Sequence, residues 1–173
     1  SLFVPIIEKI EKLSGFEYGD GTDEECVQEK VQCWVDTRKS MRIIADHIKA
    51  AVFMIADGVE PANSDRGYIL RRLIRRAVRQ GHVIGVEENF TVSIAIVVQG
   101  LYENIFPEVL NKKVLAELEK EEEKFRKSLE NGLKKFEKVK SGLTGKVAFD
   151  LFQTYGFPIE MIKEEAKLKQ IKF

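Results

Sequence analysis

The sequence predicts an all-α, multihelical fold, and three observations carry that expectation. Apolar residues return at steps of three and four through most of the chain, the period of one helix face. These runs stop at Ser14-Gly15, at Asp57-Gly58 and ahead of Pro107, which are helix-ending signals. A long charged stretch, Lys112 to Lys140, keeps the same spacing beneath its surface of Lys and Glu. Two packed helical subdomains are expected: residues 1–110, carrying an arginine-rich helix, and residues 111–173, with the long charged helix and a C-terminal corner.

In the first helix, Leu2 to Leu13, the residues Phe3, Ile6, Ile7, Ile10 and Leu13 share a face, and Gly15 supplies a left-handed cap. Phe16 to Asp36 is polar and irregular, so a loop is expected there, with a helical turn around Cys26 to Val31. Thr37 or Ser40 then caps a buried helix whose Met41, Ile44, Ala45, Ile48, Ala51, Val52, Ile55 and Ala56 form one stripe. Val59 to Asp65, with Pro61, Asn63 and Ser64, has turn chemistry and delivers the chain to the arginine helix. Gly81 and Gly85 are expected to break that helix. Asn89 to Ile105 reads as a core helix, its β-branched residues making a strand the second choice. In the long helix Leu115, Leu118, Phe125, Leu129, Leu133, Phe136 and Val139 follow a heptad-like seam that Glu122 interrupts. A turn at Ser141 to Gly145, an element beginning at Val147, the corner Thr154 to Pro158 and an amphipathic helix to Lys169 complete the chain.

The chain has 173 residues, 44% of them hydrophobic and 32% charged, with 28 Lys+Arg against 28 Asp+Glu. That composition describes an ordinary soluble globular protein with enough chain for one good core or two small ones. Val92 to Val98 is far shorter than the roughly 20 apolar residues a bilayer needs. With no secretory signal pattern at the N-terminus either, a cytosolic protein is expected. Cys26 and Cys33 are too sparse for a disulfide framework and are read as structural. With only His47 and His82 beside them, no zinc spacing forms, and His47 is read as a hydrogen-bonded core residue.

Neutral overall, the chain segregates its charge. From Arg66 to His82 there is no acidic residue, while acids gather in Asp20 to Glu25 and Glu117 to Glu123. At about 100° per residue, Leu70, Leu73, Ile74, Ala77 and Val78 collect on one arc of the helix. Arg71, Arg72, Arg75, Arg76 and Arg79 collect on the opposite arc. The first arc docks on a core and the second is suited to phosphate, which the planar guanidinium grips through paired N–H donors. Asn63 precedes the helix N-terminus, where free backbone N–H groups favour an anion. The rival reading is a helical scaffold or interaction domain in which these arginines pair with carboxylates such as Glu121 to Glu123. A membrane-surface helix is disfavoured, because the apolar arc is needed for the core. No Gly-rich phosphate loop, nucleophile elbow or His/Cys cluster is present, so nothing here supports catalysis by itself.

Arg42 to Ile48, Ala56 to Asn63, Arg66 to Arg72 and, near the end, Ala148-Phe149-Asp150-Leu151-Phe152-Gln153-Thr154-Tyr155-Gly156-Phe157-Pro158 closely resemble the tRNA-recognition region of the alanyl-tRNA synthetases. Motif order and spacing agree over nearly the whole chain. The resemblance implies a middle segment of a class II ligase, between a catalytic domain that uses ATP with magnesium and a zinc-bearing editing domain. Its partners would be those two domains and the acceptor stem of the alanine tRNA. It implies tRNA binding without alanine activation, with no cofactor in this chain. The family reads a G·U wobble pair from the open minor groove of A-form RNA, where the guanine amine lacks a Watson–Crick partner. Two acceptor side chains do so. The first falls on Asn63; the second, commonly Asp, falls on Gln153, a neutral and therefore weaker acceptor, with Asp150 one turn earlier able to share the role. The resemblance gives Arg66, Arg71, Arg72, Arg75, Arg76 and Arg79 the phosphate contacts that position the stem.

Overall fold

The computed structural model describes residues 2–18, 31–137, 143–157 and 159–168. Within them the chain is all-α: α1 Val4–Ser14, α2 Val31–Ala56, α3 Asp65–Val83, α4 Thr91–Tyr102, α5 Lys112–Glu137, α6 Gly145–Tyr155 and α7 Ile159–Leu168, with a 3-10 turn at Pro107–Leu110. Among the described residues no helix is long and apolar enough to cross a membrane. The acidic cluster at 20–25, Cys26, the expected helical turn at 26–31 up to its last residue, Val139 and Lys140 of the expected long helix, the turn residues Ser141 and Gly142, Pro158 and the terminus at Lys169 lie outside them. Two compact units form, Ser1–Glu122 and Glu123–Phe173, so the division falls within the long helix.

In the first unit the predicted stripe of α2 is the core. Met41, Ile44, Ala45, Ile48, Ala51, Val52 and Ile55 are all buried, together with Ile6 and Ile10 of α1, Leu70, Ile74, Ala77 and Val78 of α3, and Ile94, Ala95 and Val98 of α4. The β-branched residues of α4 sit in a helix that buries one continuous face, Thr91, Ile94, Ala95, Val98, Gln99 and Tyr102, and this tertiary packing outweighs local strand preference. A ring cluster closes one end: Phe53 meets Tyr102 and Phe106 edge-on at 5.1 and 5.6 Å. Lys49 lays its ammonium over both Phe3 and Tyr102, at 4.6 and 5.1 Å from the ring centres.

Three expectations are corrected. The second helix begins at Val31, so neither Thr37 nor Ser40 caps it. Both are buried inside it, and the Ser40 hydroxyl donates to Gln80 Oε1 of α3 at 2.7 Å. Gly81 does not break α3, which runs on to Val83. A Cβ there would lie 2.3 Å from the Phe90 ring, so glycine is what lets α3 and the start of α4 approach. Gly85, at φ 79°, makes the turn instead. Finally, Ile105 lies beyond the end of α4 and is 70% exposed.

The second unit packs α6 and α7 on the later turns of α5, around Phe125, Leu129, Phe136, Leu151, Phe157, Met161 and Ile162. Thr144 caps α6, its hydroxyl accepting from Val147 N–H at 3.4 Å. At the other end Gly156, φ 67°, reverses the chain, and Phe157 N–H reaches back to the Leu151 carbonyl. The Phe157 ring then seats over Gly132 of α5, where a Cβ would come within 2.5 Å. The predicted corner is therefore a turn that plugs an aromatic ring into the long helix.

Candidate nucleic-acid interface

The turn that carries Asn63 is clamped onto the first turn of α3. Ala62 N–H donates to the Gly67 carbonyl at 3.1 Å, and a Cβ on Gly67 would lie 2.5 Å from the Glu60 carbonyl oxygen and 2.6 Å from Ala62 Cβ. Gly67 thus sets how closely the turn lies against the helix. Asn63, Ser64, Asp65 and Arg66 are left exposed at the helix N-terminus. Arg71, two turns into α3, donates from Nη1 to Asn63 Oδ1. It donates from Nε to Glu121 Oε1 at 3.1 Å. A carboxylate on α5 thereby fixes an arginine, which in turn fixes the amide. One lone pair of Oδ1 is used in this bond and the other remains.

The arginine rail divides into two lines. Arg71, Arg75 and Arg79, spaced four apart, turn toward the protein: Arg75 is 9% exposed and Arg79 4%, while Arg75 Nε donates to Glu121 Oε1 at 2.6 Å. Arg72 is exposed and Arg76 half-buried, so this second line, with Arg66, forms the outer face. Glu121 is 46 and 50 positions from its two partners, which is why the acid-free stretch from Arg66 to His82 concealed this pairing. The rival reading named Glu121, and it describes Arg71 and Arg75.

His47 of α2 lies beside the outer line. It is half-buried, with its ring Nδ1 3.2 Å from Asp46 Oδ2. Burial lowers its pKa first; the Asp46 hydrogen bond opposes this, and the charges of Arg76 and Arg72 lower it further. Sequence reasoning missed the cations on that same helix. Arg38, Lys39 and Arg42 of α2 join Ile43 and Arg76 around an open cavity of about 530 Å³. Their spacing of one and four residues was the available signal, masked by the apolar stripe on the opposite side. A second groove, about 830 Å³, runs between α1 and α2 past Ile7, Glu8, Glu11, Tyr18, Arg38 and Arg42.

In the second unit Gln153 is exposed near the end of α6. Its flanks are aromatic, with Phe149 61% and Phe152 46% exposed. Asp150 is engaged: one carboxylate oxygen accepts from Lys135 of α5 and the other from Thr154 Oγ1 at 3.1 Å. That pairing lowers the Asp150 pKa and raises that of Lys135.

An exposed acceptor on a clamped turn, set beside outward arginines on an all-α scaffold, is a geometry suited to a polyanion with readable edges. The chain belongs to the family described as tRNA synthetases class II (A), whose model matches residues 1–173. Among its relatives, an alanine–tRNA ligase of Microcystis aeruginosa is 40% identical over 172 residues, covering 96% of this chain and 18% of that protein. The alanine–tRNA ligase of Thermotoga maritima is 40% identical over 176 residues, covering 99% of this chain and 19% of its own length. That of Borrelia hermsii is 40% identical over 173 residues, covering 95% and 27%. The chain therefore spans between 18 and 27% of the length of these relatives.

Proposed function

We propose that this chain is the tRNA-recognition part of an alanine–tRNA ligase, binding the acceptor stem of the alanine tRNA and reading its G·U pair. The carrying observation is the Asn63 turn, held exposed by Gly67 and Arg71 next to the outward Arg66 and Arg72. In this reading Asn63 Oδ1 accepts from the guanine amine that a wobble pair leaves open in the minor groove, and Gln153 is a second acceptor. Arg66, Arg72 and Arg76 grip phosphates, which position the stem without specifying it. Arg71 and Arg75 act from beneath. Their bonds to Glu121 hold the reading turn in place, so the scaffold reading applies to the inner line and the RNA reading to the outer one. ATP and alanine chemistry belongs to other parts of the ligase, and no step of it is assigned to these residues.

The test is binding of an acceptor-stem minihelix with a G·U pair and of its G·C counterpart. The chain prefers the G·U stem, and Asn63→Ala removes about tenfold of that preference, the worth of one good hydrogen bond to a buried edge. Gln153→Asp strengthens it, because an ionised acceptor makes the stronger bond. Equal binding of both stems by the unaltered chain overturns the assignment of G·U reading.

A further inference from the structure

We infer that α2 carries a second phosphate-gripping surface, in which Arg38, Lys39 and Arg42, joined by Arg76 of α3, take phosphodiester groups of the bound RNA. The inference rests on the tRNA-binding reading and adds to it a site outside the arginine helix. Four of the five described residues around the 530 Å³ cavity are cationic, and none is acidic. Arg38 and Arg42 are one helical turn apart, about 6 Å along the axis, and Lys39 is displaced sideways from them. The cavity thus presents several separated cations, a layout suited to more than one phosphate rather than to a single carboxylate. Arg76 is common to this cavity and to the outer line of α3, so the two surfaces are continuous.

Two further contacts pre-set the site. Arg42 donates from Nε to the Tyr18 hydroxyl and stacks its guanidinium 5.5 Å from the Tyr18 ring centre. That arrangement holds an exposed guanidinium in one place before any ligand arrives, which lowers the entropy lost on binding. Arg38 and Arg42 also border the groove that holds Glu8, Glu11 and Asp46, and two of these carboxylates have partners of their own. Asp46 faces His47, and Glu11 accepts from Tyr18 N–H at 2.5 Å. RNA is favoured over a free polyphosphate because the cavity is open and shares Arg76 with the outer line of α3.

The experiment is a salt titration of minihelix binding by the whole chain, comparing the unaltered protein with Arg38→Gln/Lys39→Gln/Arg42→Gln and with the single Lys39→Glu. Lys39 is exposed on a helix, so that variant keeps the fold if the triple one does not. The triple variant is expected to flatten the slope of log affinity against log salt by about two to three, and Lys39→Glu by about one, as counterions are no longer released at those phosphates. Both effects should be the same for G·U and G·C stems. An unchanged slope in Lys39→Glu and in a folded triple variant overturns the inference, even where Asn63→Ala still abolishes the G·U preference. A flattened slope with no G·U preference in any protein supports it while removing the base-reading assignment. In a parallel arm, tripolyphosphate alone is titrated. Tight binding of that anion, lost in the triple variant while the RNA slope stays unchanged, overturns the inference in favour of a free polyphosphate site.

Discussion

Glu122 is fully buried, and its carboxylate takes hydrogen bonds from Phe90 N–H at 3.1 and 3.2 Å, from Thr91 N–H at 2.9 Å and from the Thr91 hydroxyl at 2.6 Å. These are the free donors at the N-terminus of α4, where a negative charge also meets the helix dipole favourably. The residue that breaks the apolar seam of α5 is therefore a cap for another helix. Glu122→Ala is expected to cost at least about 2 kcal/mol, since it leaves buried donors unmatched. Thermal unfolding of the two proteins checks this. The seam was legible in the sequence and the reason for its interruption was not, because the groups that need the carboxylate lie 31 and 32 positions away. The same limit applied to the arginines. A helical projection separates apolar from charged arcs, but it does not say which flank of the charged arc another helix will cover.

Glycines decide how the elements approach. Gly67 meets backbone of the Asn63 turn, and Gly81 meets the Phe90 ring. Gly100, inside α4, has nothing within 4 Å of where its Cβ would be. Gly67→Ala is expected to destabilise by about 1–3 kcal/mol, because the obstructing atom is a carbonyl oxygen that moves only with the turn. It should also weaken G·U preference by displacing Asn63. Gly100→Ala is expected to stabilise by about 0.5–1 kcal/mol through helix propensity alone. Paired melting curves for the two variants test both signs. Composition could not tell these glycines apart: at this scale a helix-breaking residue and a helix-packing residue are the same letter, and only the opposing ring at Phe90 shows which role Gly81 has. Stripe positions were more readable. Ile44, Ile48, Val52 and Ile55 needed only the helical period to be placed in the core.

Across the whole molecule the net charge is zero, so pH acts through individual sites rather than through general repulsion. His47 has a folded pKa below its usual 6.5, caused mainly by burial. The unfolded chain then binds the extra proton more readily. Stability contributed here is complete above about pH 6.5 and declines as pH falls toward the folded value. Denaturant titrations between pH 8 and 5 should show that decline, and His47→Gln should remove its share of it. Asp150, lowered by Lys135 and Thr154, acts in the same direction at more acidic pH, below the usual 3.8. Lys135, raised by Asp150, loses its contribution only as pH climbs past 10.5. Between those limits His47 is the one of these three groups expected to make the fold sensitive to pH. None of this was visible in the sequence beyond the position of His47 on an apolar helix, since its shift comes from packing against α3.

The bond from Arg71 to Asn63 has one more consequence. An arginine only donates, so the amide it meets must turn its oxygen inward, and the two orientations of an asparagine that are usually exchangeable are no longer equivalent. Asn63 therefore presents its NH₂ beside the remaining lone pair of its oxygen, and a visiting donor shares that oxygen with a guanidinium already in place. A base edge offering an acceptor beside its donor, as a uracil carbonyl or a ribose hydroxyl next to a guanine amine does, satisfies both halves of this one side chain without a flip.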